Sequence, residues 1–249
     1  MHRFFCPHAC FATGQTVMTD PSEMHHLRHV LRLKENDPII LFNGNGEEAS
    51  GKITSLNTKE VVIQILSVRR MKNQTTSLIL ACAVPKRSKF ELIIEKATEL
   101  GVDEIIPVKT KRTELNLKAD RLEKRILRFR TVAINASKQS RRLTIPVIHP
   151  LTEFPKVVED LTKRAVVLMP SLCGPRKGIL ETLRNIDHSR PIAFLIGPEG
   201  DFTPEEYALA QRLKCIPVSL GTTILKVDTA AICALACASQ FRADFKPTS

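Results

Sequence analysis

The sequence has no tryptophan and a single tyrosine among its 249 residues. Sites for single-stranded nucleic acid commonly stack bases on aromatic side chains, so a nucleic-acid site in this chain cannot rest mainly on stacking. The longest apolar run, Ala230–Ala238, is far shorter than the roughly 18 residues that suggest a membrane span. The first ten residues also lack the apolar core of a signal peptide. We therefore expect a cytoplasmic protein that does not enter a membrane.

Metal sites and disulfide frameworks have little support. The seven cysteines are an odd number and form no CxxC pair, which favours reduced thiols. His25 and His29 have an i, i+4 spacing that can bind zinc, but a third ligand of obvious spacing is missing and HExxH is absent. Cys6, His8 and Cys10 cluster without a matching second pair. We expect no metal, and we assign the two histidines to a polar helix face.

Positive charge is concentrated in the middle of the chain. The formal net charge is +11, and residues 71–150 carry 17 Lys or Arg against 8 Asp or Glu. Within them, Lys109–Arg142 holds 12 basic and 3 acidic side chains. Such a stretch attracts nucleic acid because binding releases counterions from the polyanion. A solvated basic helix that aids solubility is the alternative.

Residues 1–70 are typical of a small β-barrel. Short alternating or apolar runs predict strands, and a cluster of Asn and Gly predicts a tight turn between two of them. The predicted elements are strands at Pro38–Phe42, Gly51–Ile53 and Glu60–Val68, a turn at Asn43–Gly46, and a helix between Pro21 and Leu33 with Asp20 or Ser22 as its N-cap.

After the polar linker Met71–Gln74, apolar runs alternate with segments of helical periodicity. Ser77–Val84 is continuously apolar, as in a strand buried on both faces, whereas Phe90–Leu100 has its apolar residues at helical spacing. This alternation predicts a parallel α/β sheet with both faces covered. The other predicted strands are Glu104–Val108, Thr144–Ile148, Ala165–Met169, Ile192–Ile196 and Ile216–Leu220, and the other helices are Lys118–Gln139, Thr152–Arg164, Lys177–Ile186, Thr203–Leu213 and Thr229–Arg242.

Two loops follow the last two predicted strands, at the end where open parallel sheets bind ligands. Their sequences are IGPEGDFT at Ile196–Thr203 and LGTTILKVDT at Leu220–Thr229. Glycine lets backbone approach a ligand closely, and Thr203 with Glu206 predicts a capping box. GxGxxG and Walker A motifs are absent, which argues against a dinucleotide or P-loop site. Ordinary strand-to-helix turns are the alternative interpretation.

Together the two loops resemble the cofactor-binding signature of SPOUT, or α/β-knot, RNA methyltransferases. Other segments narrow the resemblance to the RsmE family, and the similarity extends from Arg3 to the last helix. These segments are His26–Arg32, Phe42–Gly44 with Gly46, Lys96–Val102, Ile105–Pro107 and Gln139–Arg142.

The resemblance implies an α/β protein with an N-terminal PUA-like RNA-binding β-barrel at residues 1–72. Residues 73–249 would form a parallel-sheet SPOUT domain with a deep trefoil knot. The implied protein is a homodimer that uses S-adenosyl-L-methionine to methylate uridine N3 in small-subunit (16S) ribosomal RNA, either naked or in a ribosomal particle. A knot methyltransferase acting on a ribose 2′-hydroxyl or another base stays open, as does a non-catalytic ribosome-binding relative.

The resemblance also implies the residues of the site. The uridine N3 proton must leave during methylation, and Asp228, Glu199 or water could take it. Glu199 could equally cap its loop, and Arg142 could stabilise the uridine anion or contact a phosphate. The cofactor contacts would be Met169, Ile196, Gly197, Pro198, Gly200, Leu220, Gly221, Ile224 and Leu225, and the RNA contacts Arg3, His26, Arg32, Lys138, Gln139 and Arg141.

Five positions depart from the family pattern. The pattern has Gly at Asp201, Arg at Thr223 and Lys226, and Glu at Asp228 and Lys138. Lys226 keeps the charge of arginine without its bidentate geometry, and Asp228 keeps a carboxylate of shorter reach. Asp201 and Thr223 flank the inferred pocket, and the glycines that would line the cofactor, Gly197, Gly200 and Gly221, are present.

Overall fold

The computed structural model describes residues 1–71, 76–85, 89–113 and 119–244. The chain divides into two compact units, which we call unit 1 (Met1–Asn73 with Ser137–Ile145) and unit 2 (Gln74–Ala136 with Pro146–Ser249). The predicted boundary after residue 72 and the predicted helix start at Lys118 lie outside the described residues. The division into two continuous domains stays a prediction.

Unit 1 contains a mixed sheet of strand order β1-β3-β4-β5-β2, in which β1 pairs with β3 in parallel and the other pairs are antiparallel. The expected barrel-like β-fold is confirmed. The runs of β1 and β2 were not predicted, because four residues carry too little periodicity. The described strands are β1 (His2–Phe5), β2 (Gln15–Met18), β3 (Pro38–Phe42), β4 (Glu47–Leu56) and β5 (Val61–Arg70).

The helix expected between Pro21 and Leu33 is shorter than predicted. It comprises α1 (Pro21–His25) and a π-helical turn, His26–Val30. Its N-cap is Asp20, whose Oδ1 accepts a hydrogen bond from the Glu23 amide at 2.9 Å. The buried face of this helix joins the hydrophobic core of unit 1, which includes Phe4, Met24, Leu27, Ile39, Leu41, Ile53 and Ile63.

The segment Ser137–Ile145 belongs to unit 1 although it is distant in sequence. The Gly46 amide donates to the Leu143 carbonyl at 3.0 Å, and the Ile145 amide donates to the Gly44 carbonyl at 3.1 Å. Gly44 has φ +77°, and a Cβ there would stand 2.9 Å from the Ile145 side chain. Only glycine permits this approach. The strand predicted at Thr144–Ile148 is therefore wrong in its first half, because Thr144 and Ile145 pair with this turn.

Unit 2 contains a sheet of strand order β11-β13-β10-β12-β6-β7-β8, with β9 beside β7, and its described pairings are all parallel. The predicted parallel α/β sheet is confirmed, whereas the trefoil knot stays a prediction. The described strands are β6 (Leu78–Ala83), β7 (Glu104–Lys109), β8 (Val147–Ile148), β9 (Thr152–Glu153), β10 (Val166–Pro170), β11 (Lys177–Gly178), β12 (Ile192–Ile196) and β13 (Ile216–Ser219).

Helices cover both faces of this sheet, since consecutive residues of β6 and β12 are all buried. One group of helices packs around α7 and the other around α4. In the described part of the chain, no helix is long and apolar enough to cross a membrane. The described helices are α2 (Lys89–Glu99), α3 (Ala119–Gln139), α4 (Phe154–Arg164), α5 (Ile179–Asn185), α6 (Pro204–Arg212) and α7 (Val227–Asp244).

Candidate functional site

Three loops leave the same edge of the unit 2 sheet. Strand β10 lies between β12 and β13, and all three strands are parallel, so the loops that follow them are neighbours. The Ser171 amide donates to the Val218 carbonyl at 3.1 Å, which joins the loop after β10 to β13. The sequence singled out the loops after β12 and β13. It missed the loop after β10, because no motif marks it.

The loop after β12 is tightly braced. Its turn closes through the Asp201 amide, which donates to the Pro198 carbonyl at 2.9 Å. Asp201 has φ +62°, in the left-handed region that favours glycine. Its Oδ1 accepts hydrogen bonds from the Phe202 amide and from the Tyr207 hydroxyl, both at 2.8 Å. Aspartate lacks the conformational freedom of the expected glycine, and the two hydrogen bonds to its side chain stabilise the left-handed backbone here.

Residues from the loop after β7 also hold this segment. The predicted capping box between Thr203 and Glu206 is confirmed, and both of its hydrogen bonds are present. Buried Glu206 accepts a further hydrogen bond from the Lys111 amide at 2.9 Å. Arg112 donates from Nη1 to the carbonyl of Gly200. These contacts place the carbonyls and amides of the loop in one defined arrangement.

The loop after β13 is open by comparison. Gly221 has φ +128°, and among the described residues no heavy atom lies within 4 Å of the position that a Cβ would take. Ser219 Oγ accepts from the Gly221 amide at 3.3 Å and donates to the Gly221 carbonyl at 3.1 Å. Ile224 exposes 79% of its surface, and Leu172 in the neighbouring loop exposes 49%. Exposed apolar groups beside open backbone are suited to an apolar ligand with a polar edge.

The predicted cofactor residues divide into two groups. Met169 and Ile196 lie in β10 and β12 with buried side chains, and Pro198 is buried as well, so only their backbone atoms could reach a ligand. The others lie in the two loops, partly or fully exposed: Gly197, Gly200, Leu220, Gly221, Ile224 and Leu225.

Two of the three predicted catalytic residues belong to unit 2. Asp228 lies in the first turn of α7, and its Oδ1 is buried without a hydrogen-bond partner among the described residues. Glu199 is exposed in the loop after β12. Arg142 belongs to unit 1, where its Nη2 donates to Thr144 Oγ1 at 3.1 Å. A buried carboxylate oxygen without a partner is costly, which marks Asp228 as a candidate proton acceptor.

The predicted RNA residues all belong to unit 1, and two of them form ion pairs. Arg3 exposes 7% of its side chain, forms an ion pair with Glu48 at 2.9 Å and donates to the carbonyls of Ser137 and Arg142. Lys138 forms an ion pair with Glu23 at 2.7 Å. His26 is half-buried and packs edge-on against Phe4. The exposed members are Arg32, Gln139 and Arg141.

The histidines considered for metal lie close together in unit 1. The rings of His25 and His29 have centroids 4.7 Å apart. Within the described ranges, no group of three or more His, Cys, Asp or Glu side chains could hold a metal ion.

Comparisons with known proteins match both parts of the chain. Residues 72–239 match the RNA methyltransferase domain family, and residues 19–66 match the RNA methyltransferase PUA domain family. A Rickettsia conorii protein named Ribosomal RNA small subunit methyltransferase E is 33% identical over 86% of this chain and 84% of its own. A Bacillus subtilis protein of the same name is 28% identical, covering 87% of each chain.

Two of the solved structures that share the fold contain S-adenosyl methionine. One is a Ribosomal RNA small subunit methyltransferase E from Neisseria gonorrhoeae bound to S-adenosyl methionine, with TM-score 0.85, 27% identity and coverage of 97% of this chain and 98% of that one. A methyltransferase from Legionella pneumophila in complex with SAM has the same TM-score and identity, and 96% of each chain is covered. This chain therefore belongs to the RNA methyltransferase family that its loops and motifs resemble, the RsmE family.

Proposed function

We propose that this protein transfers the methyl group of S-adenosyl-L-methionine to N3 of a uridine in small-subunit ribosomal RNA. The observation that carries the proposal is the edge of the unit 2 sheet, where a braced loop and an open loop with Gly221 at positive φ flank the loop after β10. Relatives of the same name and a relative bound to this cofactor support it. We keep the cytoplasmic location as a prediction, because ribosomal RNA is the substrate.

The residues present fit this cofactor. Its sulfonium makes the methyl carbon electrophilic, so transfer is a displacement that needs alignment more than acid–base chemistry. Gly197 and Gly221 would let the backbone come close to the polar edges of the adenosyl and methionyl groups. Ile224 and Leu225 offer apolar surface for the adenine ring. The defined loop conformation limits the entropy lost on binding.

Asp228 is the residue that we propose as the acceptor of the uridine N3 proton. A neutral uridine N3 has no free lone pair for attack until its proton leaves. The Oδ1 of Asp228 has no hydrogen-bond partner among the described residues, so this carboxylate can accept a proton without first breaking a contact. Glu199 in the exposed loop is the alternative acceptor. Arg142 would stabilise the uridine anion or bind a phosphate.

Unit 1 supplies the proposed RNA contacts. Arg32, Gln139 and Arg141 are exposed and free to reach phosphate or base edges, whereas Arg3 is enclosed by its own partners. The 12 basic residues of Lys109–Arg142, most of which belong to unit 2, add a sequence-independent attraction for the polyanion. A homodimer, which the family resemblance implies, completes the proposed assembly.

Labelled S-adenosylmethionine and small ribosomal subunits from cells lacking this protein test the proposal. We expect one methyl group per subunit, at N3 of a single uridine located by mass spectrometry, and none with Asp228→Asn if that carboxylate is the base. Naked ribosomal RNA in a parallel reaction shows whether the assembled particle is required. A methyl group on a ribose 2′-oxygen would overturn the N3 assignment. Cofactor binding without any transfer would identify a non-catalytic ribosome-binding relative.

A further inference from the structure

We propose that Asp201 and Tyr207 form a clasp that holds the loop Gly197–Phe202 in its cofactor-binding conformation. Both are positioning residues, and the inference rests on the proposed function of this loop. Asp201 occupies a position where the family pattern has glycine, and Tyr207 is the only tyrosine of the chain. The clasp is therefore a feature of this sequence and not of the glycine signature itself.

The backbone at Asp201 requires help that a glycine would not need. Its φ of +62° is left-handed, a region that Asp and Asn tolerate because their short side chains hydrogen-bond locally. The Asp201 Oδ1 accepts from the Phe202 amide at 2.8 Å, and this contact fixes the next peptide. The same oxygen accepts from the Tyr207 hydroxyl at 2.8 Å.

Tyr207 connects this loop to the helix that follows it. It lies on α6, and its ring packs edge-on against Phe202 with centroids 5.7 Å apart. The Ser171 side chain, in the loop after β10, acts in the opposite direction to burial and lowers the pKa of Tyr207. Burial, with a contribution from the Asp201 carboxylate, raises the pKa of Tyr207 to about 12, so the phenol keeps its proton at neutral pH and donates.

The clasp reaches the backbone that faces the proposed cofactor through Phe202. A Cβ on Gly197 would stand 3.1 Å from the Phe202 ring, so ring and glycine are packed against each other. Displacement of Phe202 would let Gly197 move. Tyr207 and Asp201 thus determine where the first glycine of the loop presents its amide.

Calorimetry with S-adenosylmethionine tests the clasp in the full-length protein. Asp201→Ala loses both hydrogen bonds and tolerance of the left-handed backbone, and we expect about tenfold weaker binding. Asp201→Gly regains the backbone freedom, and we expect its affinity for S-adenosylmethionine to fall about threefold. Tyr207→Phe removes one hydrogen bond, and we expect its affinity to fall by about the same factor. Asp201→Asn keeps an oxygen acceptor and left-handed tolerance, and should bind like the parent protein.

A matched control separates the clasp from general backbone strain. Asn36 also has a left-handed backbone, with φ +76°, but it lies in a turn of unit 1. Asn36→Ala should bind S-adenosylmethionine like the parent protein. In methylation assays the KM for the cofactor should rise with Asp201→Ala, while kcat and the KM for RNA stay unchanged.

Intrinsic fluorescence gives a readout independent of the cofactor. Because the chain has one tyrosine and no tryptophan, its emission comes from Tyr207. A phenol that donates to a carboxylate is quenched, so Asp201→Gly should brighten the emission and Asn36→Ala should not. Thermal melting checks that each variant is folded. If Asp201→Ala does not fold, the calorimetric affinity of Tyr207→Phe still tests the clasp.

The outcomes distinguish the clasp from the function on which it rests. A parent protein that fails to bind S-adenosylmethionine would overturn the proposed function. If the parent protein binds S-adenosylmethionine and both Asp201→Ala and Tyr207→Phe bind it with the affinity of the parent protein, the clasp alone would be overturned. Unchanged emission in Asp201→Gly would show that the hydrogen bond from Tyr207 is not formed in solution, and would also overturn it.

Discussion

Gly221 is the residue at which backbone conformation and the proposed cofactor contact coincide. Its φ of +128° is strained for any residue with a Cβ, yet the space beside it is open in the described structure. Glycine is therefore needed here for the conformation of the backbone and not to avoid a neighbouring side chain. The same open space is what a bound cofactor would fill.

Gly221→Val should abolish S-adenosylmethionine binding by calorimetry, because the added side chain occupies the proposed pocket. The strained φ costs about 1–3 kcal/mol of stability. Gly101→Val is a matched control, since Gly101 has φ +90° with the same open surroundings after α2. That variant should lose similar stability and bind normally. A folded Gly221→Val protein with parental affinity would contradict the placement of the pocket.

Glu104, the first residue of β7, is the centre of an ion cluster. Arg164 donates to both of its carboxylate oxygens at 2.9 Å, and His149 Nε2 lies 2.9 Å from Oε2. The hydrogen bond with His149 and then those from Arg164 lower the pKa of Glu104 to about 2, although burial opposes them. The folded-state pKa lies below the unfolded value, so the cluster stabilises the fold above pH ~4.5.

We expect Glu104→Gln to lower the free energy of unfolding by about 2 kcal/mol at pH 7. The difference from the parent protein should shrink as the pH falls from about 4.5 to about 2, because Glu104 then takes up its proton. Urea titrations at several pH values measure this difference in the free energy of unfolding. Glu153→Gln, which removes an exposed pair with Lys109, should cost at most about 1 kcal/mol. Equal losses in the two variants would contradict the role of the cluster.

At the scale of elements, Ser137–Ile145 carries four of the residues predicted for RNA and catalysis. The backbone of this segment is fixed by the turn at Gly44 and Gly46 and by Arg3, which donates to the carbonyls of Ser137 and Arg142. Arg3 therefore acts within unit 1 by positioning the segment. Exposed Arg141, with φ +57°, projects from this fixed backbone.

Replacing Arg141 and Arg142 with Glu should weaken RNA binding and reduce the slope of log K against log salt by about 2. Cofactor affinity should stay unchanged, because neither residue is among the proposed cofactor contacts. The pair Lys156→Glu and Lys163→Glu makes the same charge change on exposed positions of α4 and should alter the slope less. Filter binding across salt concentrations measures both. An unchanged slope in the arginine variant would show that this segment is not the RNA surface.

At the scale of the whole molecule, the surface by which two chains would associate has to be distinguished from the core. The alanines of α7 permit close helix packing, and Ala231, Ala234 and Ala238 are buried within unit 2. The apolar surface left for association includes exposed Leu180. A symmetric dimer, which the family resemblance implies, would cover such groups.

Light scattering at micromolar concentration should give twice the chain mass of 27.9 kDa. Leu180→Asp places a charge on this apolar surface, and we expect it to shift the protein towards the monomer. Leu127→Asp is a suitable control, because Leu127 is also exposed but lies on α3. A parent protein with the mass of one chain would contradict the dimer.

Much of the fold could be predicted from the sequence, because its signals are local. Fully apolar runs such as Ile192–Ile196 predicted buried strands, and Phe90–Leu100 predicted a helix by its periodicity; both are confirmed. The capping box at Thr203 was recognised for the same reason, since its two residues are three positions apart. Short β1 and β2 escaped prediction because they are defined by their partners.

The sequence by itself determined the alternation of strands and helices, the positions of the glycine loops and the concentration of charge, since each depends on neighbouring residues. Only the tertiary structure decided that β10 separates β12 from β13, that Ser137–Ile145 returns to unit 1, and that Tyr207 donates to Asp201. Strand order and chain return depend on pairings between distant segments, which leave no local periodicity. Asp201 likewise departs from the expected glycine, and the hydroxyl that donates to its carboxylate lies six residues away.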